Sequence, residues 1–206
     1  MLDQDGKPLR NAVLTLSGNG LKAPVAGKAD MDQHDKQFAP HVLVVHTGTQ
    51  VKFPNSDDIR HQVYSFSEPK RFELRLYQGT PSQPLLFDKP GVVVLGCNIH
   101  DTMLGYVYVT ADPVFAVSDD KGRIHLADLA PGQYTATLWH PQSADLRTQP
   151  AGDIQVPAAG LKQSFKVTVQ PATGEAMGDM DGMDMSEHSQ SDFGNAFDQA
   201  AREPAK

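Results

Sequence analysis

Residues 96–103 read Gly96-Cys97-Asn98-Ile99-His100-Asp101-Thr102-Met103 and carry three metal-binding side chains at the spacing C-x2-H-x2-M. An apolar run of strand length, 92–95, leads into this segment, and a second, 105–109, leads out of it. The pattern predicts a tight loop between two β-strands. Such a loop can direct a thiolate, an imidazole and a thioether to one point, and this donor set suits copper.

A further imidazole is offered by His61, which begins the strand-like run 61–66 just after the polar loop 55–60. Two His ligands, one Cys and a weak axial Met form the arrangement of electron-transfer copper sites. Asn55 is a candidate for an outer position, where we expect its amide to tie the His61 loop to the Cys97 loop.

Two other interpretations of Cys97 and His100 must be weighed. One is a small buried cysteine beside an incidental histidine, but Met103 and His61 then have no explanation. The other is a catalytic Cys–His pair. Two residues three apart in a tight turn rarely form a nucleophile and its base, and the sequence offers no convincing orienting group.

Residues 1–170 read as all-β throughout. Short runs rich in β-branched and aromatic residues recur between Gly, Pro, Asn and Asp turn signals, which favours a sandwich or a Greek-key barrel. The predicted strands are 12–16, 42–46, 50–53, 61–66, 71–76, 85–87, 92–95, 106–110, 123–126, 133–139 and 164–169.

The stretch from about residue 31 to residue 110 resembles a cupredoxin. It is similar to plastocyanin-like and amicyanin-like blue copper proteins, and more narrowly to the bacterial proteins labelled methylamine-utilisation protein. The matching motifs are Met31-Asp32-Gln33, Phe38-Ala39-Pro40, Phe53-Pro54-Asn55-Ser56-Asp57, His61-Gln62-Val63-Tyr64-Ser65-Phe66 and the 96–103 loop. The resemblance implies a Greek-key β-sandwich with one type 1 copper. The ligands that it implies are His61, Cys97, His100 and Met103. Thr102 departs from the pattern, because related sequences often carry Trp there.

The flanking segments resemble a carboxypeptidase regulatory-like, or transthyretin-like, β-sandwich. The matching stretches are 5–16, 120–126 and 129–134. We therefore predict a copper domain inserted into a second small sandwich. The predicted units are the first strand of that sandwich (1–17), the inserted cupredoxin domain (24–110), the remainder of the sandwich (111–170) and a C-terminal tail (171–206).

The tail differs in composition from the rest of the chain. Of the net charge of −7, the tail holds −6, from eight acidic and two basic residues, and it has almost no β-branched residues. This composition predicts disorder. Its soft donors are Met177, Met180, Met183, Met185 and His188. They suggest weak Cu(I) binding, although a solvated acidic tail that happens to contain methionine remains the alternative.

The remaining features bear on location and on the other histidines. The single cysteine allows no intrachain disulfide, no apolar run is long enough for a membrane span, and the acidic charge argues against nucleic acid. The chain starts almost inside a turn, so we expect a trimmed signal peptide and a periplasmic protein.

His34, His41 and His46 are interpreted as surface or structural residues. Trp139 is predicted in the core, with His140 exposed beside it.

The sequence thus favours an exported blue copper protein that carries single electrons and is not an enzyme. We expect a monomer that exchanges electrons with another redox protein, and the sequence does not identify that partner. The first alternative is a periplasmic copper-handling protein that uses the same site together with the Met-rich tail. The second is a metal-free β-sandwich interaction module, which the full ligand set disfavours.

Overall fold

The computed structural model describes residues 1–18, 20–22, 25–100 and 102–170, and these are almost entirely strands and turns. One 3-10 turn, Ala144–Leu146, is the exception. The strands are β1 (Val13–Ser17), β2 (Lys28–Asp30), β3 (Asp32–His34), β4 (Gln37–Ala39), β5 (Val42–His46), β6 (Thr49–Lys52), β7 (His61–Ser65), β8 (Phe72–Tyr77), β9 (Leu85–Phe87), β10 (Gly91–Gly96), β11 (Leu104–Thr110), β12 (Val114–Val117), β13 (Gly132–Trp139) and β14 (Gln149–Val156). The all-β prediction is confirmed.

A two-sheet sandwich is built from the middle of the chain. One sheet has the strand order β5-β11-β10-β7-β8, with β5 and β11 parallel, and the other has the order β2-β6-β9. The chain crosses between them at β6 and again at β9, as the predicted Greek-key sandwich requires. The shared core includes Phe53, Val63, Phe87, Val93, Val107, Cys97 and Met103. The core of this sandwich therefore contains two of the predicted copper ligands.

A separate four-stranded sheet has the order β12-β1-β13-β14. Strand β1 lies in its interior, antiparallel to both β12 and β13, although about a hundred residues separate it from them in sequence. On this pairing we propose that the copper domain, 24–110, is an insertion between 1–17 and 111–170.

The outer face of the four-stranded sheet is covered by irregular segments. The strands predicted at 123–126 and 164–169 are wrong, because the first pairs with no strand and the second makes a single bridge between Lys166 and Leu2. Ile124 and Phe165 nevertheless pack against the sheet. Alternating apolar residues indicate which side chains are buried, and a coil lying over a sheet satisfies that pattern as well as a strand does.

The other face of the four-stranded sheet packs against the five-stranded sheet. The residues in this interface are Val13, Val42, Val44, Val94, Tyr106, Tyr108, Trp139 and Leu146. The Trp139 ring has its centroid 5.7 Å from that of Tyr106 and 5.3 Å from that of Tyr108. Strands β5, β10 and β11 are thus buried on both faces, which explains why they read as continuous apolar runs.

Histidine side chains lie at this interface, and the prediction that His140 is exposed is wrong. His140 is 6% exposed, its Nε2 donates to the Arg10 carbonyl at 2.9 Å, and its Nδ1 accepts from the backbone N–H of Gln142 at 3.1 Å. Burial lowers the pKa of His140 to about 4, and burial also lowers the pKa values of His41 and His46.

Acid is therefore expected to destabilise the protein through His140. Protonation of His140 places a proton on Nδ1, which faces the Gln142 N–H, so the charged form loses this hydrogen bond. Because the pKa is lowered on folding, the stabilisation is complete above pH ~6.5 and is lost as the pH falls towards ~4, a change on the order of 3 kcal/mol. Denaturant titrations followed by the fluorescence of Trp139, the single tryptophan, measure it.

The matched variant for this prediction is His140→Gln, which keeps an acceptor and a donor but does not titrate. Its free energy of unfolding should change less between pH 6.5 and pH 4 than that of the wild type. The exposed His125 provides the control substitution, His125→Gln. Equal acid dependence in all three proteins would contradict the role given to His140.

Candidate metal centre

The four predicted ligands lie at the start of β7 and in the loop that joins β10 to β11. His61 is the first residue of β7, Cys97 follows β10 directly, and Met103 directly precedes β11. His100 lies in the loop between β10 and β11. His61, Cys97 and Met103 are buried, whereas His100 is partly exposed. The pairing of β10 with β7 through Gly96 brings the first imidazole to the thiol.

The donor atoms are spaced as a single metal ion requires. Cys97 Sγ lies 3.6 Å from His61 Nδ1 and 3.8 Å from His100 Nδ1, and all three ligand atoms are within 4.8 Å of one another. A nitrogen at about 2.1 Å and a sulfur at about 2.3 Å from one ion, at a trigonal angle, lie about 3.8 Å apart. The Met103 N–H donates to the His100 carbonyl at 2.9 Å and closes the loop. With Met103, the group fits a type 1 copper site.

Asp57 holds the ring of His61 and was missed by sequence reasoning. Its Oδ2 lies 2.7 Å from His61 Nε2. The carboxylate accepts this N–H, so Nδ1 carries the lone pair and faces Cys97. A carboxylate in this outer position fixes the tautomer and the orientation of a ligating histidine. The only sequence signal was an acidic residue four positions before His61.

The turn between β3 and β4 in turn holds Asp57. Asp35 and Lys36 adopt positive φ angles of 53° and 57°, and their backbone N–H groups donate to Asp57 at 2.7 and 3.0 Å. Burial acts to raise the pKa of Asp57, but the hydrogen bonds from Lys36, His61 and Asp35 outweigh it and leave the pKa below its ordinary value. The carboxylate is therefore ionised at neutral pH.

Asn55 does not have the predicted position between the two loops. Its Nδ2 donates to the carbonyls of Ile59 at 2.8 Å and Tyr77 at 3.1 Å, and its Oδ1 accepts from the Asp57 N–H at 3.0 Å. Both amide hydrogens are thus used within the His61 loop and the neighbouring β8. Asn55 shapes the loop that presents Asp57, and it makes no hydrogen bond to the described residues of the Cys97 loop.

His100 forms the solvent edge of the group. Burial lowers its pKa, and the nearby His61 and Lys36 lower it further. This favours the neutral imidazole, which is the form that binds a metal. The preceding residue, Ile99, is 50% exposed, so an apolar side chain faces solvent beside the ligand.

Replacing Asp57 with asparagine is expected to weaken Cu(II) binding roughly 10–100-fold. The neutral amide loses the charge-assisted hydrogen bond to His61, and its NH2 group would face the backbone N–H groups of the β3–β4 turn, which are also donors. Competitive Cu(II) titration measures the affinity. The control is Asp58→Asn, which makes the same change of charge at the adjacent exposed residue. Equal losses in the two variants would show that only the net charge matters.

Two further findings concern the remaining predictions. Met177, Met180, Met183, Met185 and His188, the candidate Cu(I) donors, lie outside the described residues. Among the residues that the structure does describe, no helix is long and apolar enough to cross a bilayer.

Comparison with known proteins gives structural matches only. No family model matches the chain, and no curated protein matches it. A purple cupredoxin from Nitrosopumilus maritimus matches at 21% identity over 40% of this chain and 99% of its own, with a TM-score of 0.35. An amicyanin variant in its reduced Cu(I) form matches at 20% identity over 47% of this chain and 98% of its own, with a TM-score of 0.37. A Cu-containing nitrite reductase from Thermus scotoductus SA-01 matches at 25% identity over 53% of this chain and 27% of its own, with a TM-score of 0.38.

Proposed function

We propose that this protein is a blue copper protein that carries single electrons. The observation that supports the proposal most strongly is the buried thiol of Cys97, placed 3.6 and 3.8 Å from one nitrogen of each of two histidines. Copper bound there would supply a one-electron Cu(II)/Cu(I) couple. In this proposal Cys97, His61 and His100 are the equatorial ligands, and Met103 is the weak axial ligand.

The protein residues around the site suit it to electron transfer without substrate turnover. Asp57 and the β3–β4 turn fix His61, and the sandwich core encloses Cys97 and Met103, so the donors are held before the metal arrives. A preorganised site changes little between two oxidation states. His100 brings one edge of the site to the surface, where a redox partner can approach. We also propose an exported, periplasmic protein, which the resemblance to blue copper proteins implies.

A redox titration tests this function. We expect a reversible one-electron couple and fast electron exchange between oxidised and reduced protein. The second candidate function, copper handling, predicts tight capture of Cu(I) and slow exchange. Slow exchange with irreversible titration would therefore contradict the electron-carrier proposal.

The second candidate is supported by the M-x2-M-x2-M-x-M spacing of the tail, from Met177 to Met185. Thioethers favour soft ions, so Ag(I) serves as a redox-inert probe. If the tail binds soft metal, a chain ending at Gln170 should lose one Ag(I) equivalent while its visible colour and potential stay unchanged. Equal Ag(I) stoichiometry in the two chains would remove the support for copper handling.

A further inference from the structure

Two hydrogen-bonded side chains, Gln33 of β3 and Tyr77 of β8, bind the start of the segment 53–61, which leads to the metal centre. Gln33 is fully buried, and its Nε2 donates to the Tyr77 hydroxyl and to the Pro54 carbonyl at 2.9 Å. The Tyr77 hydroxyl donates in turn to the Phe53 carbonyl at 2.7 Å. The two side chains therefore fix the backbone at which this segment begins.

Tyr77 also binds the rest of the segment 53–61. Its carbonyl accepts from Asn55 Nδ2 at 3.1 Å, and its backbone pairs with that of His61 across β7 and β8. Asp57, which holds the His61 ring, lies between these two attachments. Because each attachment removes conformations that the free backbone would populate, the segment presents Asp57 and His61 in one arrangement.

The backbone of Gln33 holds the same segment. Its N–H donates to the Pro54 carbonyl at 3.1 Å, and its carbonyl accepts from the Ser56 N–H at 2.9 Å. The turn that follows β3 donates two further N–H groups to Asp57. Strand β3 and its turn thus contact the segment on the residues that precede His61.

One atom of this cluster has no hydrogen bond. Gln33 Oε1 is buried and finds no hydrogen-bond partner among the residues that the structure describes. A buried acceptor without a partner lowers the stability of the folded state, and an apolar side chain of similar length would avoid that loss. Packing alone therefore does not account for a glutamine here, and its donor group is the part that the site uses.

We propose that Gln33 and Tyr77 are positioning residues for the metal centre and that they act by fixing the ring of His61. This inference rests on the proposed copper function, in which His61 is a ligand. With the segment fixed, Asp57 holds Nε2–H of the ring, and Nδ1 faces Cys97 before a metal arrives. Without the pair, a bound metal would have to order the segment itself, so binding would be weaker.

Nitrogen-15 NMR of the His61 ring in the metal-free full chain at pH 8 tests the proposal without copper. The wild type should show one neutral tautomer, with its proton on Nε2. Tyr77→Phe and Gln33→Met should each lose this single-tautomer spectrum. Gln33→Met keeps the buried volume, and the Pro54 carbonyl and the Tyr77 hydroxyl each keep one hydrogen bond, so we expect this variant to fold as the wild type does.

Competitive Cu(II) titration is the second measurement. Each of the two variants should bind Cu(II) roughly tenfold more weakly, the lower end of the range for outer partners of a metal ligand. The matched control is Tyr134→Phe, which removes a hydroxyl that donates to the Ala130 carbonyl at 2.6 Å in the other sandwich. It should keep the wild-type tautomer and the wild-type affinity.

The outcomes separate this inference from the proposed function. A single His61 tautomer or wild-type Cu(II) affinity in either folded variant would overturn the positioning role, as would equal changes in Tyr134→Phe. A colourless copper-loaded wild type would contradict the electron-carrier function instead, and the metal-free spectra would still decide whether Gln33 and Tyr77 fix the ring of His61.

Discussion

Replacing Cys97 with serine is expected to abolish the visible absorption of the Cu(II)-loaded protein. The side chain is 2% exposed and its sulfur lies 3.6 Å from His61 Nδ1 and 3.8 Å from His100 Nδ1, so it supplies the thiolate of the proposed site. A serine hydroxyl is a hard, poorly acidic donor that copper does not accept in this role. The two side chains have nearly the same shape, so the loss is chemical rather than steric. Absorption spectra at equal copper occupancy measure it.

Met103→Leu is the companion to that variant. It keeps the thiolate and the buried volume but removes the axial thioether, so the colour should remain while the reduction potential rises. His125→Gln, at an exposed histidine outside the site, should change neither property. Persistence of the wild-type band in Cys97→Ser would show that the thiol is not a ligand.

Removal of residues 1–17 is expected to unfold the four-stranded sheet. The deletion takes away an interior strand and six buried residues, among them Val13, Leu14 and Leu16. Core losses of this kind cost roughly 2–5 kcal/mol each, and together they match the ~5–15 kcal/mol stability of a typical domain. The ladders of β12 and β13 would also lose their partners.

Hydrogen exchange of the amides in β13 and β14 measures that loss. The deletion should remove their protection, although these strands lie about a hundred residues away in sequence. A chain ending at Gln170, which loses a larger number of residues, is the control and should keep the protection. Unchanged protection of 132–156 without residues 1–17 would contradict the proposed insertion of the copper domain.

Sequence reasoning was most successful where local spacing determines the structure. The C-x2-H-x2-M loop and the strands on both sides of it follow from residues adjacent in sequence, and the loop is found between β10 and β11 as predicted. His61 was added because its residue type completes a donor set, and the fold places its Nδ1 beside Cys97. The assignment of these residues as ligands stays a proposal.

Features that depend on distant contacts were missed. Asp57 is held beside His61 by hydrogen bonds from the β3–β4 turn, and no local sequence pattern predicts that contact. His140 was predicted to be exposed because it follows a strand end, but its ring is buried against the Arg10 carbonyl, 130 residues away in sequence. Strand β14 escaped detection because Pro150 and Gly152 interrupt its pattern, and an edge strand opposite a register shift tolerates both.

The burial of one sheet on two faces could have been predicted. The runs at 42–45, 92–95 and 106–109 are apolar without alternation, and such runs are typical of strands covered on both sides. The sequence alone does not indicate which strands cover the second face of this sheet. Strands β1 and β13 reach it only through the tertiary fold.

The most direct test of the copper site is the visible spectrum of the wild-type protein after addition of one equivalent of Cu(II), with metal content determined on the same sample. The arrangement of Cys97 with His61, His100 and Met103 predicts an intense thiolate-to-copper band that disappears on reduction and returns on oxidation. A colourless protein with full copper occupancy would contradict it.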